Sequence, residues 1–148
     1  MTDFANSEAR IRQLHALYTD AVWRKDAAAF AQCFTPDAEW RVDGSVLRGR
    51  DEIVREFERT LAGIKRVLVG YRTPYLELTG PERASGRTYV TEHYAWILGP
   101  PTTTVARYYE YYVDGGDRWR ISWRLHELLY SGPGDLTGEF YEGIGLSS

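Results

Sequence analysis

The strongest constraint on the fold lies in the second half of the chain. Residues 66–78 (RVLVGYRTPYLEL), 85–98 (SGRTYVTEHYAWIL), 103–113 (TTVARYYEYYV) and 117–130 (DRWRISWRLHELLY) are rich in β-branched and aromatic residues. Such side chains suit extended backbone, where they pack on a pleated surface. Gly80-Pro81, Gly99-Pro100-Pro101 and Asp114-Gly115-Gly116-Asp117 stand between the segments, and all are tight-turn chemistry. Short connections join antiparallel neighbours, so this half predicts one mostly antiparallel sheet.

The first half has helical periodicity. Ser7 is a candidate N-cap for a helix to about Arg24, with Ile11, Leu14, Leu17, Tyr18, Ala21 and Val22 in one apolar stripe. Tyr18 lies inside the stripe, as a core residue or a pocket hydroxyl; Asp20 lies at its margin, where a carboxylate ordinarily meets water. Asp26 can cap a second helix through AAAFAQCF, ended by Thr35-Pro36 because proline disfavours helix in the residue before it. AEWRVDGSVLRG reads as a hairpin around Asp43-Gly44, and a third helix is predicted from about Arg50 to Gly63. Helices followed by strands give an α+β domain, with three N-terminal helices on a sheet curled around them and a cavity between the layers. One domain is expected over residues 1–148, with a core of about 7–130 and an irregular, glycine-rich tail over 131–148.

Several function classes find no support. A net charge of −3 gives no electrostatic attraction for nucleic acid. His15, His93 and His126 fall on different elements without metal-ligand spacing. A glycine-rich phosphate loop, a GxSxG elbow and a CxxC pair are all missing from the sequence, so neither metal nor cofactor is expected. The lone Cys33 has no internal disulfide partner and reads as a buried small hydrophobe. No charged-then-apolar leader opens the sequence and no apolar run approaches the ~18 residues of a membrane span, so a soluble cytoplasmic protein is expected. Aromatic content is high, with 11 Tyr and 5 Trp, residue types that suit pockets and subunit interfaces.

The order of YTDAVWRKD, FTPDAEW, a hairpin, GRDEI opening a helix, and DRWRIS in the last strand resembles the SnoaL-like group of the nuclear-transport-factor-2-like (NTF2-like) superfamily, over about residues 7–130. The resemblance implies a cone-shaped α+β barrel with a deep pocket. Relatives include ketosteroid isomerase, scytalone dehydratase, limonene epoxide hydrolase, bile-acid dehydratase, hexachlorocyclohexane dehydrochlorinase and polyketide cyclases; others bind or assemble without chemistry. The dehydratase and dehydrochlorinase relatives use an Asp at the end of the first helix and a His on the first long strand. Carried over, the Asp position is Trp23 and the His position is Val69 or Arg72, none of them a general base at neutral pH.

Alternation puts Trp119, Ile121, Trp123 and Leu125 on one face of the last strand and Arg120, Ser122, Arg124 and His126 on the other. By pattern alone the polar face would meet water. The resemblance instead turns Arg124, and His126 with it, into the cavity. It also implies that Val90, Glu92 and Tyr94 point inward with His93 outward, and that Arg107, Tyr109 and Tyr111 point inward. Glu92, Arg107, Arg124 and His126 would then share one concave surface, contacted by Tyr18, Trp23, Trp40, Tyr94, Tyr109, Arg72 and Asp20. His126 would be the acid or base, Glu92 its orienter or a second base, Arg107 and Arg124 would stabilise an enolate or alkoxide, and Tyr18 would donate a hydrogen bond. A second reading makes Glu92 and Arg107 or Arg124 a buried ion pair that merely closes the cavity. The expected function is a cofactor-free lyase or isomerase working by proton transfer on a small, largely apolar, oxygenated molecule, polycyclic ones included. The alternative is a binding protein for a small hydrophobic ligand without turnover. Trp119, Ile121, Trp123, Leu125, Tyr108 and Tyr112 on an outer face would pair copies of the chain, as a dimer ahead of a trimer.

Overall fold

In a computed structural model describing residues 3–143, the elements run α1 (Phe4–Arg24), α2 (Ala27–Ala31), β1 (Phe34–Val42), β2 (Ser45–Arg48), α3 (Arg50–Leu61), β3 (Ile64–Tyr71), β4 (Tyr75–Gly80), β5 (Arg83–Trp96), β6 (Thr102–Asp114), β7 (Trp119–Gly132) and β8 (Glu139–Phe140). Helix α1 starts earlier than its periodicity suggests. Asp3, not Ser7, is the N-cap, accepting from the Ala5 N–H at 3.0 Å, and Ser7 is buried one turn inside. Lys25 ends the helix in the left-handed region (φ 57°), its N–H reaching the Ala21 and Val22 carbonyls. Asp26 caps α2 as expected, accepting from the Ala29 N–H at 3.0 Å. Helix α2 stops at Ala31, and the Thr35-Pro36 step lies in a strand. Proline is tolerated there because the β1–β7 ladder is interrupted between Phe34 and Glu39.

The sheet order is β2-β1-β7-β6-β5-β3, with β4 paired to β5 and β8 to β7. Only the β1–β7 pair is parallel among the described pairings. The helices cover one face, where Ile11, Leu14, Tyr18, Phe30, Phe34, Ile53, Trp119 and Ile121 form a buried core. The expected α+β fold, helices on a curved and mostly antiparallel sheet, is the observed one.

Two findings correct the assignment of faces. On β6, Ala106, Tyr108, Glu110 and Tyr112 are buried on the helix side, which puts Arg107, Tyr109 and Tyr111 on the outer face. Four of the six residues Arg107–Tyr112 are tyrosines, so hydropathy there has no preferred phase. On β7, Tyr111 pairs with Trp123 but Tyr112 pairs with Ile121, leaving Ser122 as the extra residue of a β-bulge. The bulge resets the alternation. Trp119 and Ile121 are buried on the helix side, and so are Arg124 and, beyond it, His126. Trp119, Ile121, Tyr108 and Tyr112 are therefore core residues, not part of an outer apolar face.

As far as residue 143 the tail is more ordered than its glycines suggest, and the rest of it, residues 144–148, lies outside the described residues. Phe140 pairs with Tyr130, and the Tyr130 hydroxyl donates to the Pro133 carbonyl at 2.5 Å while accepting from the Gly138 N–H at 2.8 Å. A Cβ on Gly138 would stand 2.5 Å from the Ser131 carbonyl, so the close return of the chain requires glycine there.

Candidate functional site

Between α3, the end of α1 and the concave sheet lies a cavity of about 410 Å³, within the range of small-molecule sites. Its inner end is buried and mostly apolar, with Tyr18 and Val22 from α1, Ile53 from α3, Val67 and Val69 from β3, and Tyr108 from β6. Exposed Asp43 and Thr60 stand at its mouth with half-buried Glu56. Trp40 and Trp96 add aromatic wall.

One polar patch interrupts this lining. Strand β6 separates β5 from β7 and holds Thr104 opposite Glu92 and Tyr108 opposite His126. Across it, His126 Nε2 stands 3.8 Å from Glu92 Oε1, with side chains only 12% and 10% exposed. That separation is an ion-pair distance, too long for a hydrogen bond. Glu92 is instead held by hydroxyls: Tyr94 donates to Oε2 at 2.9 Å and Thr104 to Oε1 at 3.2 Å. Burial works to raise the Glu92 pKa, but His126, Tyr94 and Thr104 together outweigh it and hold the carboxyl below its usual range. Glu92 is thus an anion at neutral pH. Tyr94 moves the other way, raised by burial and by the adjacent Glu92 charge, so its hydroxyl keeps its proton.

Beneath the inner end lies a second polar group that the cavity does not reach. Arg124 is fully buried; its Nε donates to Glu110 Oε2 at 2.6 Å, and an Nη lies 2.5 Å from the same oxygen as an ion pair. An Nη also donates to the Tyr71 hydroxyl at 2.7 Å. The guanidinium lies 4.1, 4.6 and 4.7 Å from the ring centres of Tyr108, Tyr18 and Trp40, the rings that line the cavity above it. Glu110 Oε1 accepts from the Tyr112 hydroxyl at 2.7 Å and lies 2.8 Å from His15 Nε2, whose ring stacks on Tyr71 at 4.1 Å. Burial alone would raise the Glu110 pKa, but Arg124 and His15 overcome it and bring the carboxyl down to about 2. Tyr18 is pushed up to about 12, by burial against the opposing Arg124 charge.

Of the residues expected at the site, Glu92, His126, Tyr18, Trp40 and Tyr94 meet at the cavity. Arg124 lies under it. Arg107 and Tyr109 do not belong to it: Arg107 donates to Glu127 Oε1 at 2.9 and 2.7 Å on the outer face, over the rings of Tyr89 and Tyr109. Arg72, Asp20 and Trp23 line a separate outer groove between α1 and β3. Trp23 is 44% exposed with the Arg66 guanidinium over its ring, and Asp20 pairs with Arg24 at 3.0 Å in water. Successive helical residues are turned by roughly 100°, so Val22, not Trp23, faces the cavity at the end of α1. Neither Val22 nor Val69 can move a proton.

The SnoaL-like domain profile matches residues 3–124, most of the chain. The chain belongs to the SnoaL-like family. No curated protein matches its sequence significantly. Solved structures resemble it throughout. A scytalone dehydratase candidate from Novosphingobium aromaticivorans DSM 12444 is 15% identical over 93% of this chain and 92% of its own, with a TM-score of 0.81. The hexachlorocyclohexane dehydrochlorinase LinA-type3 from Novosphingobium barchaimii LL02 is 19% identical over 95% and 97%, at 0.78. A dehydratase candidate of the NTF2-like family from Streptomyces avermitilis is 15% identical over 82% and 96%, at 0.73. At such identities the likeness establishes the NTF2-like fold. The site of this SnoaL-like domain has to be read from its own residues.

That reading adds residues that the sequence did not place at the site. Thr104 holds Glu92, Trp96 and Tyr108 wall the cavity, and Glu110 anchors Arg124. Glu110 carried one readable signal: a lone acid among tyrosines, in phase with Tyr108 and Tyr112, requires a buried partner. Among the described residues, no group of His, Cys, Asp and Glu is arranged to hold a metal ion, and no helix is long and apolar enough to cross a membrane.

Proposed function

We propose that this SnoaL-like chain is a cofactor-free enzyme that moves protons on a small, largely apolar molecule carrying oxygen, as a lyase or isomerase does. The carrying observation is the His126–Glu92 pair, at 3.8 Å, set into an otherwise apolar cavity. Histidine can give and take a proton near neutral pH, and a fixed carboxylate beside it orients the ring and balances its charge. Tyr94 and Thr104 fix that carboxylate, and Tyr18 supplies a protonated hydroxyl at the inner end. Arg124 acts as a positioning residue, holding the rings on which the ligand rests.

The test is turnover of a panel of small alicyclic alcohols, epoxides and cyclic ketones, followed by mass spectrometry. For any compound converted, His126→Ala should slow conversion by roughly 10²–10⁴-fold, the worth of a positioned acid or base. Unchanged turnover removes His126 from the reaction. One observation favours a second reading, a binding protein without turnover: the end of α1 and β3 turn Val22 and Val69 to the cavity, and neither side chain can move a proton. A panel compound that binds and returns unchanged after long incubation supports that reading.

A further inference from the structure

Charge decides which molecules this cavity can hold. The acids and bases lining it are Asp43, Glu56, Glu92 and His126, and no lysine or arginine lines it among the described residues. The arginines nearby lie outside the lining, each paired with an acid. Arg107 is on the opposite face of the sheet with Glu127, and Arg59 reaches out from α3 to Glu56, its side chain 73% exposed. Arg124 is sealed under the inner-end rings, its charge matched by Glu110.

We propose that the cavity admits neutral and cationic molecules, excludes anions, and stabilises positive charge developing on what it binds. The proposal rests on this cavity being the ligand site. An anion entering it would leave water to meet the Glu92 carboxylate, and the one cation of the lining, a protonated His126 at 3.8 Å, is already paired to that carboxylate. A cation meets the opposite situation. Glu92 lies beside the Tyr94 and Trp96 rings, stacked 4.8 Å apart at 5°. Their polar tips are fixed, Tyr94 to Glu92 and Trp96 Nε1 to the Thr102 hydroxyl at 3.0 Å, so the rings form a rigid electron-rich wall.

This favours a particular kind of proton transfer. The His126 imidazolium gives its proton to a hydroxyl oxygen of the ligand. The C–O bond breaks, its electron pair leaves with the oxygen as water, and the carbon becomes positive. A proton on the neighbouring carbon then passes to the neutral imidazole, and the C–H electron pair forms the double bond. The sum is alcohol to alkene plus water, with His126 restored. An enolate would instead build negative charge against Glu92.

Three probes of nearly one shape test the proposal by titration calorimetry: benzyltrimethylammonium, neopentylbenzene and phenylmethanesulfonate. The ammonium should bind at least roughly tenfold more tightly than the sulfonate, and neopentylbenzene should bind measurably. Glu92→Gln should shrink the ammonium-to-sulfonate ratio to within about threefold. Asp43→Asn, at an exposed position of the mouth, should shrink it less and serves should Glu92→Gln fail to fold. An ammonium no tighter than the sulfonate, or a ratio that neither substitution changes, overturns the charge selection and leaves the cavity standing as a ligand site. If none of the three binds, the cavity reading itself fails and the charge selection falls with it.

Discussion

Glu110 shows how one buried residue can hold both the fold and the site. Its carboxylate is fully buried and touched by Arg124, His15 and Tyr112, so every neighbour that keeps it ionised is also fixed by it. Removing one partner of a buried pair strands the other charge, at a cost of about 3–5 kcal/mol. Glu110→Gln should therefore lower the unfolding free energy by about that amount in urea, a large share of a domain's total. Acid should act through the same residue. Its pKa is about 2 in the fold against an ordinary 4.5, so the unfolded chain binds the proton more readily. The stabilisation is complete above about pH 4.5 and is lost as pH falls toward about 2. Urea midpoints measured across that window should decline in the native protein and decline less in Glu110→Gln. An equal decline in both would assign acid lability to other carboxylates.

At the scale of elements, the bulge at Ser122 decides which side chains reach the cavity. Without it, a strand carrying Trp119 and Ile121 into the core would turn Arg124 and His126 outward, because a shift of one residue exchanges the two faces. Deleting Ser122 should abolish cooperative unfolding and the near-ultraviolet circular dichroism of packed aromatics. Ser122→Ala keeps the residue count and loses only one exposed hydrogen bond, to the Tyr111 carbonyl at 3.2 Å, so it should stay within about 1 kcal/mol of native stability. A deletion variant as well folded as Ser122→Ala would show that the register is not set there. The same bulge marks how far the sequence could be read. Periodicity and caps located the three helices, and turn residues located the hairpin and separated the long strands, because these signals are local. The face that β7 turns inward depends on a single extra residue opposite β6, which hydropathy does not record. The resemblance gave β6 the wrong phase, turning Arg107 and Tyr109 inward, and tyrosine, apolar in body and polar at its tip, left no hydropathy signal on β6 to correct it. Trp23 misled differently: the relatives' Asp position, carried over, falls on it, yet Val22 fills the inward position. Glu92, Tyr94 and His126 were legible because the family resemblance supplied the phases of β5 and β7, and Tyr18 because it lies in the apolar stripe of α1.

At the scale of the whole molecule, no helix among the described residues covers the outer face of the sheet. On it Trp123 stacks on Tyr111 at 4.8 Å and donates to Glu39 at 3.1 Å, while Tyr111 and Tyr89 are each 43% exposed. Leu125 and Tyr109 lie on the same outer face. Removing a large apolar side chain from water stabilises by about 1.5–3 kcal/mol, so covering several together outweighs much of the cost of association. The Arg107–Glu127 pair and Arg41, 6.0 Å from the centre of the Trp123 ring, give the patch the charged edge typical of an interface. The chain is therefore expected to associate with itself through this face, as a dimer ahead of a trimer, with Trp123 between subunits. Light scattering at micromolar concentration should give a multiple of 17.0 kDa, and Trp123→Glu should reduce it to one chain. The cavity lies on the opposite side of the sheet, so that variant should keep the probe preferences of the native protein. A native protein that is monomeric at the same concentration would contradict the interface while leaving Glu92 and His126 where they are, because the bulge, not the partner, turns His126 inward.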